Sequence, residues 1–280
     1  MSGSLIQRIE DFAQNKSFTL PVFGEAAIRV RNALRSEEYD IVDVERIIQT
    51  DQALAAEVLK AANSPFYGGL TAITSVRNAV VRIGAKQVTQ LVLMASSKSQ
   101  YKARDVELAL MIAELWKHAA GTAMAAQWLS RRLGFTQLED EAFVGGLLHD
   151  IGKLYLLRVL DELMTDTTNP IEAPRELINE ILESTHGEQG YRLLASWNLP
   201  DVYRIVVRDH HRPDFDPSNF TLLVVRLANS ACSKLGIGLT AEPSLVLPAL
   251  PEAQHLGAGE LLLAELEIVL EDSILLTAGA

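Results

Sequence analysis

No stretch of this 280-residue chain alternates apolar and polar residues at period two for long enough to build a sheet; its apolar positions recur at the helical period instead. The clearest case is Asp105–Leu133, a long 3.6-residue pattern that closes on Gly134, a residue suited to a helix C-terminus. Shorter patterns of the same kind are read at 4–15, after Pro21 (Val22, Ala26, Val30, Leu34), at Ile41–Gln49, Gln52–Ala62, Val76–Ile83 and Ala85–Ser97. Asp51 and Ser75 stand where N-caps are needed, and Gly84 stands where a helix must stop. Lys16–Leu20 reads as a loop, and Asn63–Gly69, with its proline, paired glycines and aromatics, is a clear break. Further on, helices are read at Asp140–Asp161, Arg175–Ser184, Gly187–Trp197, Pro200–His210, Phe220–Leu235 and Ala258–Leu276. Thr165–Pro174 and Arg212–Asn219 read as loops, and Pro243, Pro248 and Pro251 mark a linker. The fold class expected is all-α.

Three segments follow from this reading: a lobe of short helices over 1–103, a longer-helix lobe over 104–236, and a proline-containing linker with a final helix over 237–280. The stripe Leu262, Leu266, Val269 and Leu270 on that last helix is expected to dock on its own protein. The balance of 25 basic to 36 acidic residues, a formal charge of −11, repels phosphate backbones and argues against nucleic-acid binding. Arg204, Arg208 and Arg212 at helical spacing are the nearest thing to a basic patch, and a solvated face is the simpler account of them. The single Cys232 excludes an internal disulfide and fits a reducing compartment, where it is expected to be an inert buried thiol. No run of 18 apolar residues occurs, and MSGSLIQRIEDF lacks a signal-peptide profile, so a soluble cytoplasmic protein without membrane contact is expected.

The chemistry gathers in the second half. The stretch AFVGGLLHDIGKLYLL, residues 142–157, sets His149 beside Asp150 in an apolar run, with Lys153 one turn on and the small pair Gly145–Gly146 just before. A histidine–aspartate pair can straddle one site, the imidazole taking a metal and the carboxylate reaching the same ion or bridging to a second. Of six histidines, none precedes residue 103, which makes the first lobe a poor place for metal chemistry and a better one for binding. Glu114 and His118 lie at i and i+4 on one helix face; His186 precedes Gly187, and His210–His211 ends a helix. Each alone has a plain account, Glu114 as a solvated charge, His186 as a cap residue, Lys153 as a solvated helix end. Together, imidazoles and carboxylates on separate helices are what a metal site in a bundle core requires, and this donor set suits Fe, Mn, Ni or Zn. The lack of cysteine ligands argues against a structural zinc.

Glu114-Leu-Trp-Lys-His118, Gly146-Leu-Leu-His-Asp-Ile-Gly-Lys-Leu154, His186-Gly-Glu-Gln-Gly190, Trp197-Asn-Leu-Pro200 and Arg208-Asp-His-His211 resemble the HD superfamily of metal-dependent phosphohydrolases. The HDOD branch fits best. Its N-terminal pattern is matched by Leu20-Pro21, Ile47–Asp51, Val58–Gly68 and Ala79–Gly84, so the resemblance spans roughly residues 17–236. It implies an all-α protein with an N-terminal helical lobe packed on an HD-like bundle, in a family of mostly signalling or regulatory proteins often attached to receiver domains.

By position, the resemblance also implies that His118, His149, Asp150, His186, His210 and His211 match the ligand set of the related HD-GYP branch, with Glu114 as an extra carboxylate. Asn229, in Leu227-Ala-Asn-Ser230, aligns with the terminal ligand, an aspartate in active HD enzymes. The GYP loop after the paired histidines is replaced by Arg212-Pro-Asp-Phe-Asp-Pro217, which argues against cyclic-di-GMP hydrolysis. Such a site would hold one or two divalent transition ions, Asp150 bridging them and Lys153 reaching a substrate phosphate. Three functions are compatible with these residues: a regulatory module that binds metal, and a nucleotide or phosphoester, with little turnover; an active phosphohydrolase; or an interaction module with a residual site. A signalling protein is the expected partner.

Overall fold

The computed structural model describes residues 7–9, 12, 29, 30, 33, 40–64, 67, 71–168 and 170–278. The helices expected over 4–15 and after Pro21, and the Lys16–Leu20 loop, fall mostly or wholly outside these residues, as do Pro65, Phe66, Gly68 and Gly69 of the Asn63 break. The described residues are helical, without a strand among them. Two compact units divide the chain: residues 20–100 with 272–280, and residues 1–19 with 101–271.

The smaller unit contains α1 (Ile41–Gln49), α2 (Gln52–Ala62), α3 (Val76–Ile83) and α4 (Ala85–Lys98). Each of the first three starts on a short polar side chain that accepts from the first turn: Asp40 from Val42 N, Asp51 from Leu54 N, Ser75 from Asn78 N. Replacing such a cap with alanine costs about 1 kcal/mol. Gly84, at φ +92, turns the chain between α3 and α4 in a conformation other residues avoid. Val44, Ile48, Val58, Ala79, Val88 and Val92 are fully buried and make the core. Asn63 then closes the break: its Nδ2 donates to Leu59 O and Ile73 O, both at 2.8 Å, and its Oδ1 accepts from Ile73 N at 2.6 Å.

The larger unit is built on α5 (Val106–Arg132), which Asp105 caps by accepting from Leu108 N. The buried carboxylate of Asp161 fixes the chain ahead of it, accepting from the backbone N–H groups of Arg104 and Asp105 at 2.9 Å. Around α5 pack α6 (Glu139–Leu148), α7 (Ile151–Met164) and α10 (Phe220–Lys234); α8 (Arg175–Ser196) lies on α7 and on α9 (Asp201–Asp209). The apolar face of α5, including Leu108, Met111, Ile112, Leu115 and Leu129, is buried, so truncating one of these leucines to alanine costs about 2–5 kcal/mol. Two more helices follow, α11 (Pro251–Leu256) and α12 (Glu260–Ala278). On α12, Leu266 and Leu270 of the expected stripe are buried, Leu262 and Val269 are half-buried, and Leu263, outside that stripe, is buried as well.

Three local expectations are corrected, each for a packing reason. Asp140–Asp161 is two helices: His149 ends α6, and Asp150, at φ −101 and ψ 16, opens α7. The bend lets α6 lie on α5 and α7 on α8, each at glycine distance. A Cβ on Gly146 would stand 2.8 Å from Ala123 Cα, and one on Gly152 would stand 1.9 Å from His186 O. Arg175–Ser196, by contrast, is one helix with His186 in its interior. Gly187 and Gly190 do not break it; their missing side chains admit α9, since Cβ atoms there would lie 3.1 Å from Arg208 O and 2.5 Å from Val207 Cγ1. The third correction is α11, in the stretch read as linker, where Pro251 occupies the first helical position and so starts a helix instead of ending one.

Candidate metal centre

Five of the six imidazoles meet around one carboxylate. His118 comes from α5, His149 and Asp150 from the bend between α6 and α7, His186 from α8, and His210 and His211 from the end of α9. Asp150 sits between two groups. Its Oδ2 lies 3.7 Å from His118 Nε2 and 3.5 Å from His149 Nε2. Its Oδ1 lies 3.5 Å from His186 Nε2 and 3.3 Å from His210 Nε2. His211 joins the second group at the rim, its ring centroid 4.3 Å from that of His210. Within each group the donor atoms fall within 4.8 Å of one another, near the ~4 Å span of opposite ligands with bonds of about 2.0–2.2 Å.

Four of the rings are held in one tautomer. Nδ1 of His118 lies 2.8 Å from Ile237 O, that of His149 2.7 Å from Gly146 O, that of His186 2.6 Å from Leu182 O and that of His210 2.9 Å from Val207 O. A carbonyl only accepts, so each Nδ1 carries the hydrogen and each Nε2 of a neutral ring presents a lone pair inward. His186 and His210 then point lone pairs at each other across 3.3 Å. Asn229 presents Oδ1 to His118 Nε2 at 2.8 Å. That contact is favourable with a cation beside both atoms, or with the amide turned so that Nδ2 donates. His149 Nε2 and Asp150 Oδ1 are buried without a hydrogen-bond partner. Buried lone pairs that converge with no donor to satisfy them fit a divalent cation, and nitrogen with carboxylate oxygen suits a transition ion.

The electrostatics keep the donors ready. Burial is the main cause of lowered histidine pKa values here, taking His149 to about 3 and His211 to about 4, and lowering His118, His186 and His210 as well. Neutral imidazole is the ligand form. Burial alone would raise Asp150, but the Lys153 ammonium and the surrounding imidazoles hold it well below the usual carboxylate range. Lys153 donates to Asp150 Oδ2 at 3.0 Å and is itself buried, so it is a buried partner of the carboxylate and not a solvated helix end.

A small cavity of about 110 Å³ opens on the cluster, with His118, Asp150, Lys153, His211 and Asn229 in its wall and Glu183 and Glu242 beside them. Glu114 is placed elsewhere on α5: half-exposed, its carboxylate accepts from Lys117 at 2.7 Å, and it belongs to neither donor group. Gly238 carries no sequence signal, yet at φ +128 it lies so close that a Cβ would stand 2.9 Å from His118 Nδ1. The remaining singled-out residues stay outside the cluster. Arg204 pairs with Asp201, and Arg208 and Arg212 share Asp209, which offsets most of the charge of the basic stripe. Cys232 is buried, and burial pushes its thiol up to about 12. No helix among the described residues is long and apolar enough to cross a membrane.

Comparison with known proteins agrees with this fold. A crystallised HDOD domain protein of unknown function from Geobacter sulfurreducens is 20% identical, with a TM-score of 0.72 over 97% of this chain and 96% of that one. A protein from Shewanella amazonensis SB2B, assigned by name alone to the metal-dependent phosphohydrolases, is 21% identical, with a TM-score of 0.65 over 96% of each chain. At such identities the two show the fold alone. A curated, uncharacterized protein of Treponema pallidum (strain Nichols) is 24% identical over 233 residues, which cover 81% of this chain and 43% of that protein's length. The HDOD domain family model matches residues 20–213, most of the chain, and on that match this protein belongs to the HDOD domain family.

Proposed function

We propose that this chain is a regulatory HDOD protein that holds a divalent transition ion in its histidine–aspartate cluster, takes a phosphoryl group at that site with little turnover, and acts through a signalling partner. The observation that carries the reading is the inward set of Nε2 lone pairs, four of them fixed by carbonyls on Nδ1, around a carboxylate oxygen that has no hydrogen-bond partner. A residual site in a pure interaction module has no reason to keep that arrangement, because converging unpaired acceptors destabilise the fold.

His186, His210, His211 and Asp150 Oδ1 would hold one ion, and His118, His149 and Asp150 Oδ2, with Asn229 Oδ1, a second. Bound there, such an ion supplies Lewis acidity toward a phosphoryl oxygen. The chain's own contribution is orientation and charge. Asp150 keeps its negative charge under Lys153, the imidazoles stay neutral, and Lys153 gives the cavity wall a buried ammonium that a phosphoryl oxygen can approach. The cavity that opens on the cluster is small, and with Lys153 in its wall it suits the phosphoryl end of a ligand. The neutral Asn229, where an anion would hold an ion tighter, favours binding over fast hydrolysis.

Elemental analysis of protein expressed in metal-supplemented medium, paired with a broad phosphoester screen, tests this. At least one transition ion per chain, lost in Asp150→Ala and reduced in His149→Ala, with slow or no hydrolysis, is expected. Rapid turnover of a phosphoester would make the protein a phosphohydrolase instead, and less than about 0.1 ion per chain, unchanged by both substitutions, would remove the site.

A further inference from the structure

The turn that carries His210 and His211 is the C-terminal end of α9, where helix carbonyls have lost their intrahelical partners. One side chain gathers them. Arg226, on α10, places Nη1 2.9 Å from His210 O, 3.1 Å from Asp209 O and 2.9 Å from Arg212 O. A cation at a helix C-terminus also opposes the negative end of the helix dipole. The guanidinium is held from two further sides. Its carbon lies 4.1 Å from the centroid of the Phe215 ring, and Nη2 lies 3.8 Å from Glu252 Oε2 on α11. Glu252 is 3% exposed and Arg226 is half-buried, and neither Glu252 Oε2 nor Arg226 Nε has a hydrogen-bond partner. Phe215, Arg226 and Glu252 all lie beyond residue 213, where the family match ends.

We propose that Arg226 is a positioning residue for His210 and His211, kept in place by Phe215 and Glu252, so that the segment following the matched domain is a working part of the metal centre. This rests on the reading of the cluster as a metal site. A terminal cap alone would stabilise α9 and nothing more. Here the capped residues include one ligand candidate, His210, and flank the other, His211, so a shift of the turn displaces two of the three imidazoles on the Oδ1 side. The α11 helix thereby gains a route to the site: whatever moves Glu252 loosens Arg226, and with it the turn. Partners that hydrogen-bond the ligand side chains themselves affect affinity about 10–100-fold, and Arg226 would act one step further out, through the backbone carbonyls of the turn.

The experiment uses the full chain and four variants: Arg226→Met, Arg226→Lys, Glu252→Gln and the pair Arg226→Met with His210→Ala. Two readouts are taken, Mn²⁺ titration and imidazole NMR of the metal-free protein. Arg226→Met is expected to weaken Mn²⁺ binding about 10-fold, the lower end of that range, with Arg226→Lys restoring part of that and Glu252→Gln losing several-fold. In the metal-free protein the His210 and His211 signals move while those of His118 and His149 stay. In the His210→Ala background, Arg226→Met costs little further affinity. Unmoved His210 and His211 signals with unchanged Mn²⁺ affinity would overturn the proposal, as would equal movement of all four rings or full additivity with His210→Ala. If Arg226→Met does not fold, Arg226→Lys and Glu252→Gln carry the same readouts. If the wild type takes up no Mn²⁺, the metal reading fails, while the metal-free NMR comparison still decides the placement of the turn.

Discussion

The two sides of Asp150 are unequal. The Oδ2 side has His118 and His149, a neutral amide from Asn229, and the Lys153 ammonium 3.0 Å from the carboxylate. The Oδ1 side has three imidazoles, His186, His210 and His211, and ends at an exposed rim. A divalent ion on the Oδ2 side must share its carboxylate with a fixed positive charge, and at 3–4 Å in a buried site that repulsion is not negligible. The Oδ1 side offers one more neutral donor and no competing cation bonded to its oxygen. The difference teaches that, on the proposed reading, Asp150 would offer its two oxygens to two unequal sites. The Oδ1 side should fill first.

The largest effect expected is from removing what both sides share. Asp150→Asn keeps the shape and deletes the charge, leaving Lys153 buried without its partner at a cost of roughly 3–5 kcal/mol. Thermal unfolding should show that loss, and elemental analysis should show ions gone from both sides. If one ion remains, the bridge is not the centre of the site.

Gly152→Ala strikes one side. Its Cβ would stand 1.9 Å from His186 O, so α7 and α8 must separate, with an expected cost of about 1–3 kcal/mol or more. Mn²⁺ affinity should fall on the Oδ1 side while the environment of His118 and His149 is kept, as followed by imidazole NMR. Equal loss on both sides would erase the distinction.

Asn229→Asp acts in the opposite direction on the other side. One added anionic oxygen beside His118 is expected to tighten the weaker ion by about 1–3 kcal/mol, roughly ten- to a hundredfold. Mn²⁺ titration of the two folded metal-free proteins measures it. Equal affinity and stoichiometry would place Asn229 outside the metal's reach.

A separate effect, on stability and not on metal affinity, is in the pH response of metal-free protein. His149 and His211 are both lowered from 6.5, to about 3 and about 4, chiefly by burial. Between those values and 6.5 the unfolded chain binds more protons, so stability falls as the pH drops below about 6.5. Chemical denaturation from pH 7 down to 4 should show the decline. In an NMR titration His211 should protonate before His149, the rim before the interior.

Much of this was legible in the residues. The caps Asp51 and Ser75 and the stop at Gly84 are local signals and stand where their chemistry requires. The histidines and Asp150 that converge were visible as imidazoles and carboxylates on separate helices and, as a set, through the resemblance of their motifs to the HD superfamily. What escaped the sequence is tertiary. The bend at His149–Asp150 lies in an unbroken apolar run, and only the packing of α6 on α5 and α7 on α8 creates it. Arg175–Ser184 and Gly187–Trp197 read as two helices with His186 as a cap between them; the packing of Gly187 on Arg208 O, which uses the helix interior, was invisible. Gly238 and Arg226 act on residues 120 and 16 positions away, at His118 and His210, and no periodicity announces such contacts. Glu114 shows the converse, a spacing that looked right but whose carboxylate pairs with Lys117.

The central claim is that the cluster holds a transition ion and that its Oδ1 side holds it best. Crystals of the full chain soaked in limiting Mn²⁺ and measured for anomalous scattering test it directly. The account predicts a dominant peak among His186, His210, His211 and Asp150 Oδ1, within about 2.0–2.3 Å of the ligand atoms, and a weaker one beside His118 and His149. A stronger peak on the Oδ2 side, or no peak at either, would contradict it.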